Sequence, residues 1–273
     1  MTALVPIDDP ADPRVAVYIG LRDHQLRMDR ERSDPTLRPL FIAEGERLIG
    51  EALAAGLTPV SMLRSADHPT LVEASLPEGT PVFGVGPKVA VAITGLHIHR
   101  GALACFLRPP ERSAPQVVSG SQTLVVAERV TNPTNLGVMA RSAAGLGVGG
   151  LLLDEPSCDP LYRRALRVAM GASFTLPWAR VPSIPAAMGT LREAGFTTVA
   201  MAITSESAHL ADLGGLALSG RTALVVGNEF HGLSDEVLEA ADIVATIPMT
   251  GGVDSLNVAA AAAVACWEIM RSR

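Results

Sequence analysis

Apolar residues in the second half of the chain gather into short continuous runs, at 123–127, 150–153, 197–202, 223–226 and 243–247, separated by segments of helical period. Unbroken aliphatic runs such as LVVA, GLLL and ALVV suit strands of a parallel sheet with helices on both faces. The intervening pattern predicts helices at about 136–146, 162–170 and 184–194, one from Ser234 and a closing one from Ser255. This half therefore reads as an α/β sandwich. Ahead of it, Leu40-Phe41-Ile42 leads into a helix at 44–55, where Leu48, Ile49, Ala52 and Leu53 recur at helical spacing before Gly56. Apolar runs at 60–63, 82–85 and 103–107 then complete a small alternating α/β pattern. Between the halves, RPPERSAPQVVSG at 108–120 combines prolines, Ser, Gly and charge without an apolar period. The predicted organisation is a front domain at 1–110 with a flexible start over 1–12, a linker at 111–120, and a second domain at 121–273.

Composition sharpens this picture. Of 273 residues, 48% are hydrophobic and 18% charged, which excludes a disordered or polyelectrolyte chain. Cys105, Cys158 and Cys266 are far apart and form no C-x-x-C, so neither a disulfide framework nor a cysteine metal site is expected. The start, MTALVPIDDPADP, is acidic and Pro-rich where a secretion signal would be basic and then apolar. The most apolar stretch, 258–267, falls short of the about 20 residues that span a bilayer. A cytoplasmic protein with no membrane partner is expected. A net charge of −6 argues against coating nucleic acid by bulk attraction, so any such contact must be local.

Among chemical motifs, GLGVGG at 145–150 matches the spacing of a dinucleotide fingerprint, but a helix precedes it and a strand follows, the reverse of what that site requires. It reads instead as a helix stop and a tight turn. Walker, nucleophile-elbow and H-E-x-x-H motifs are lacking. Three loops remain, each directly after a strand, where open α/β sheets gather ligands. The first runs from Glu128 through Asn132, Asn135 and Gly137 to Arg141, with Asn135 read as a helix cap. The second is Gly227-Asn228-Glu229-Phe230-His231-Gly232, whose glycines let backbone approach a ligand. The third, Ile247-Pro248-Met249-Thr250-Gly251-Gly252-Val253-Asp254-Ser255-Leu256-Asn257-Val258-Ala259, runs uncharged except for Asp254 into a helix N-terminus.

In this order the loops resemble those of the SpoU (TrmH-like) branch of the SPOUT class of RNA methyltransferases. N-x-G-x-x-x-R is Asn135, Gly137 and Arg141; G-x-E-x-x-G is Gly227, Glu229 and Gly232; I-P-M-x-G-x-x-x-S-L-N-V-A is 247–259. The likeness covers about 121–273. More loosely, FIAEGERLI at 41–49 and HRGALACF at 99–106 resemble the family's substrate-binding domain, itself akin to a ribosomal-protein fold. One departure is Ala259, where many relatives carry a second serine.

The resemblance implies a parallel-sheet domain tied in a deep trefoil knot, a homodimer formed through that domain, and methyl transfer from S-adenosylmethionine to a ribose 2′-hydroxyl. It implies cofactor contacts at Gly227, Ile247, Met249 and Leu256, and catalytic roles for Asn135, Arg141, Glu229, Ser255 and Asn257. An apolar wall with backbone hydrogen bonds suits an adenine. Displacement at a sulfonium carbon needs no metal, and none is expected. Arg141 would orient phosphate and stabilise the developing alkoxide, Asn135 and Ser255 would position the ribose, and Glu229 would brace the loops. RNA would be held by local basic patches: Arg163, Arg164 and Arg167 on one predicted helix, and Arg30 and Arg32 among the arginines near the N-terminus. His97 and His99 read as surface groups of the front domain. Ribosomal RNA is the expected substrate on the strength of a separate front domain. Transfer RNA, and a non-catalytic RNA-binding or assembly role on the same scaffold, remain open.

Overall fold

The computed structural model describes residues 4–20, 39–95, 101–204, 208–209, 220–228, 230–252 and 254–271. The chain divides into two compact units, Met1–Pro110 with Leu161–Phe174, and Glu111–Pro160 with Thr175–Arg273.

In the first unit, strands β1 (Leu4–Ile7), β2 (Leu40–Glu44), β3 (Pro59–Ser65), β4 (Val82–Val85) and β5 (Ala102–Leu107) form one sheet in the order β1-β4-β3-β5-β2. β1, β4 and β3 are parallel, whereas β5 runs antiparallel to both β3 and β2. Helices α1 (Glu46–Ala54) and α2 (Pro87–Thr94) follow β2 and β4. Ile7, Tyr18, Ile42, Leu63, Phe83 and Ile93 belong to one core cluster. Within the stretch expected to be flexible, residues 4–7 instead pair with β4, because Ile7 is buried there and strand pairing satisfies the backbone.

The second unit opens on α3 (Ala114–Ser119), a helix inside the expected linker. Its start is a reciprocal cap between Ser113 and Gln116 with Pro115 in the first turn, and Val117 and Val118 are buried. Strand β6 (Thr123–Ala127) leads to α4 (Pro133–Gly145), and β7 (Gly150–Asp154) follows. The glycine-rich turn between them contains Gly147 at φ 83°. A Cβ on Gly150 would lie 2.5 Å from Val117, so the strand can enter there only as glycine.

Residues 161–174 then pack with the first unit. Helix α5 (Arg163–Ala169) lies on β2, with Arg163 paired to Glu44 at 2.6 Å, and Phe174 meets Phe41, which stacks on Phe106. A short helix α6 (Ala172–Thr175) ends this excursion.

The second unit resumes with β8 (Trp178–Val181), α7 (Ile184–Glu193), β9 (Phe196–Met201), β10 (Ala208–His209), β11 (Arg221–Val226), α8 (Asp235–Ala240), β12 (Ile243–Thr246) and α9 (Val258–Arg271). Among the described residues its seven strands are all parallel, in the order β10-β12-β9-β11-β6-β7-β8. Every residue of β6 and β7 is buried, as expected where both faces are covered. One face packs Leu124, Val126, Leu152, Met188, Val225 and Val237. Helix α9 packs against α4 and β11. Arg221 at the start of β11 donates to the carbonyls of Val118, Ser121 and Ala194, with its guanidinium 4.2 Å from the centre of the Phe196 ring.

Candidate active site

Because β6, β11 and β12 are parallel, the loops that follow them leave from one edge of the sheet. The first begins at Glu128, which is 6% exposed and whose carboxylate accepts from the Ser234 N–H at 2.8 Å and hydroxyl at 2.7 Å. This pair ties the β6 loop to the β11 loop through charge-assisted hydrogen bonds. Arg129 follows in left-handed backbone, φ 53°. Its N–H is held by both carboxylate oxygens of Asp154, at 3.0 and 2.9 Å, and Asp154 also accepts from the N–H and hydroxyl of Ser157.

The helix cap lies at Asn132, not at Asn135: the Asn132 side chain accepts from the Thr134 N–H at 2.9 Å, and Pro133 opens α4. Asn135 is thereby left inside the first turn, 8% exposed, with its side-chain oxygen accepting from Asn257 at 3.0 Å. Asn257 also caps α9, accepting from the N–H groups of Ala259 and Ala260, so the closing helix starts at Val258 and Ser255 precedes it. Arg141 is exposed further along α4.

The β11 loop folds back on itself, with Asn228 and Gly232 exchanging backbone hydrogen bonds at 3.1 and 2.9 Å. A Cβ on Gly227 would fall 2.4 Å from the Gly232 carbonyl, so only glycine permits this closure. Beside it opens a cavity of about 480 Å³, within the range of small-molecule sites. Gly227, Ile247, Met249 and Leu256, the four expected cofactor contacts, all line it, as does Ser255. This mainly apolar wall with one closely approaching backbone fits an adenine nucleoside with a methionine tail. Cys266 offers no nucleophile, since burial pushes its thiol up to about 12.

Other expected positions fall elsewhere. Arg163 and Arg167 on α5 both face Glu44, at 2.6 and 3.4 Å, while Arg164 is exposed. Glu229, Arg30, Arg32, His97 and His99 lie outside the described residues. Among the described residues, no group of three or more His, Cys, Asp or Glu is placed to hold a metal. Sequence patterns did not single out Glu128, Asp154 or Asn228 as organisers of the loops. Glu128 and Asp154 share a signal, a polar residue at or directly after the end of a buried strand, where only functional or loop-bracing groups repay desolvation, whereas Asn228 lies two positions beyond β11 and carries none.

A family model described as the SpoU rRNA Methylase family matches residues 122–267. The chain belongs to this family. The family shown by the match is the one that the three loop motifs resemble. The chain is 38% identical to an uncharacterized tRNA/rRNA methyltransferase of Mycobacterium tuberculosis over 97% of its own length and 91% of that protein. A 23S rRNA (guanosine-2′-O-)-methyltransferase of Vibrio vulnificus is 34% identical over 56% of this chain and 60% of that one. Among solved structures, an AdoMet-bound rRNA methyltransferase from Sinorhizobium meliloti superposes with a TM-score of 0.81 at 26% identity, covering 98% of both chains. This SpoU-family chain is an RNA methyltransferase with the family's α/β fold and parallel sheet.

Proposed function

We propose that this methyltransferase modifies a ribose 2′-hydroxyl of ribosomal RNA. The cofactor is S-adenosylmethionine, which supplies the methyl group as an electrophilic carbon on a sulfonium. The observation that carries the reading is the Asn257–Asn135 hydrogen bond, which joins the loop lining the cofactor cavity to the helix that bears Arg141. The 2′-O specificity of the Vibrio relative supports the ribose as acceptor, and its 23S substrate supports ribosomal RNA.

The residues divide the work. Gly227, Ile247, Met249 and Leu256 hold the cofactor in the cavity. Asn135 and Ser255 orient the ribose. The Arg141 guanidinium has no hydrogen bond or ion pair among the described residues and is available to an RNA phosphate and to the alkoxide forming at the attacking oxygen. A guanidinium, which only donates hydrogen bonds, does this as a cation and not as the proton acceptor. Arg164, exposed on α5, is a second phosphate contact; Arg163 and Arg167 reach one only by leaving Glu44. Glu229, Arg30 and Arg32 keep the roles that the resemblance implies.

A homodimer and a trefoil knot belong to the same reading. Val264 and Trp267, one turn apart on α9, are 44% and 56% exposed, which supports pairing through that helix. The placing of β11 between β9 and β6, with α9 returning onto α4, supports a threaded chain. A cytoplasmic location accords with three buried cysteines that form no disulfide.

The test is to map 2′-O-methyl groups in RNA from cells with and without the gene, together with transfer of labelled methyl by the purified protein. Label resistant to alkaline cleavage at one position of ribosomal RNA is expected. Label on a base would overturn ribose as acceptor, label in transfer RNA would move the substrate, and no S-adenosylmethionine affinity at millimolar concentration would leave a non-catalytic RNA-binding role.

A further inference from the structure

Two side chains beside the site have no part in the roles above. Phe230 is 90% exposed on the wall of the cavity, at the turn of the β11 loop. Arg129 is exposed on left-handed backbone, a conformation that glycine would adopt without cost, and its guanidinium has no hydrogen bond or ion pair among the described residues. Strained backbone persists where its surroundings over-determine it, and such places cluster at functional sites.

One side chain fixes both residues. The Asn228 amide donates to the Arg129 carbonyl at 2.8 Å, while its oxygen accepts from the N–H of Phe230 at 2.8 Å and of His231 at 3.2 Å. On its other side, Arg129 is held by Asp154. The backbones of a ring and a cation are thus locked to each other while both side chains stay open to solvent. A pre-ordered aromatic face loses little entropy on receiving a flat partner, and a neighbouring fixed cation suits the phosphate attached to it.

We propose that Phe230 and Arg129 form a nucleotide-binding step at the rim of the cavity. The Phe230 ring stacks on a base flanking the methylated nucleotide, and Arg129 takes the adjoining phosphate. In a chain of net charge −6, RNA must be gripped by such local pairs. The inference rests on the proposed function only in that RNA enters at this edge; which of its atoms accepts the methyl group does not matter to it.

The test compares full-length wild type with Phe230→Ala, Phe230→Trp and Arg129→Gly, using unfractionated RNA from cells lacking the gene. Filter binding over a salt series, methyl-transfer kinetics, S-adenosylmethionine calorimetry and thermal midpoints are measured for each. Phe230→Ala is expected to weaken RNA binding and raise the RNA KM about tenfold, with cofactor affinity and midpoint unchanged, and Phe230→Trp to restore both RNA values. Arg129→Gly relieves the backbone, so its midpoint should hold or rise while the slope of log affinity against log salt drops by about 0.7 to 0.9. RNA affinity within twofold of wild type for Phe230→Ala would overturn the proposal. So would an equal loss of cofactor affinity, which would assign the ring to the cofactor, or an unchanged salt slope for Arg129→Gly. A wild type that binds RNA but transfers no methyl group would sink the methylation reading and leave this binding comparison standing.

Discussion

Asn257 donates its side-chain N–H to the side-chain oxygen of Asn135 across 122 positions of sequence, and with its own oxygen it caps α9. The two halves of one amide therefore do separable jobs. Aspartate caps a helix as well as asparagine does but has no N–H to give. Asn257→Asp is expected to keep the thermal midpoint and to lower methyl transfer by about tenfold or more, the equivalent of one hydrogen bond. Asn257→Ala should lose both activity and about 1 kcal/mol of stability. Circular-dichroism melts beside single-turnover rates separate the two jobs.

Arg141→Lys keeps the charge but replaces a planar fork with a point donor. Because the side chain is exposed, stability and cofactor affinity should not move, whereas the rate with RNA should fall by about two orders of magnitude. A lysine enzyme with wild-type turnover would remove Arg141 from the reaction.

Gly227→Ala would drive a methyl group into the Gly232 carbonyl. The loop must open, at about 1–3 kcal/mol of stability, and the cofactor wall opens with it. Calorimetry should find S-adenosylmethionine affinity lost, while an alanine at Gly145, where nothing lies within 4 Å, serves as the silent control.

Asp242 ties the turn before β12 to α7 and β9, accepting from Arg192 at 2.8 Å and from the N–H and hydroxyl of Thr198 at 2.8 and 2.7 Å. Burial raises its carboxyl, but these donors outweigh burial and hold it below its ordinary value of 3.8. Its contribution is therefore complete above that value and is lost as pH falls through the lower folded one. Asp242→Asn should be less stable than wild type at pH 7, with the gap closing below pH 3.8, as read from urea midpoints.

Trp267→Glu places a charge on the exposed face of α9. Light scattering at micromolar concentration is expected to find wild-type dimers and variant monomers. A monomeric wild type would remove the dimer from the proposed function.

The second unit was largely legible because its buried strands are continuous aliphatic runs, and the observed β6 coincides with the expected 123–127. Position-specific residues such as Gly227 and Asn257 were legible because each satisfies a backbone demand that few other types meet. Helix α3 was hidden by Pro115 and by the prolines ahead of it, although Ser113 and Gln116 carried a helix-start signature. Arg129 was not legible at all, since its strained backbone comes from Asp154 and Asn228, which lie far away in sequence. The assignment of 161–174 to the first unit likewise depends on the Glu44–Arg163 and Phe41–Phe174 contacts, which leave no local pattern.

The strand order also sets a schedule for synthesis. β6 pairs with β7 on one side, but its other neighbour is β11, where Thr222 faces Thr123 from roughly a hundred positions downstream. At about 5–20 residues per second, the aliphatic edge of β6 stays open on the ribosome for seconds before its partner exists. Until then an unpaired LVVA edge is a template for any other extended chain. Folding during synthesis therefore has to keep this edge from other chains until β11 arrives.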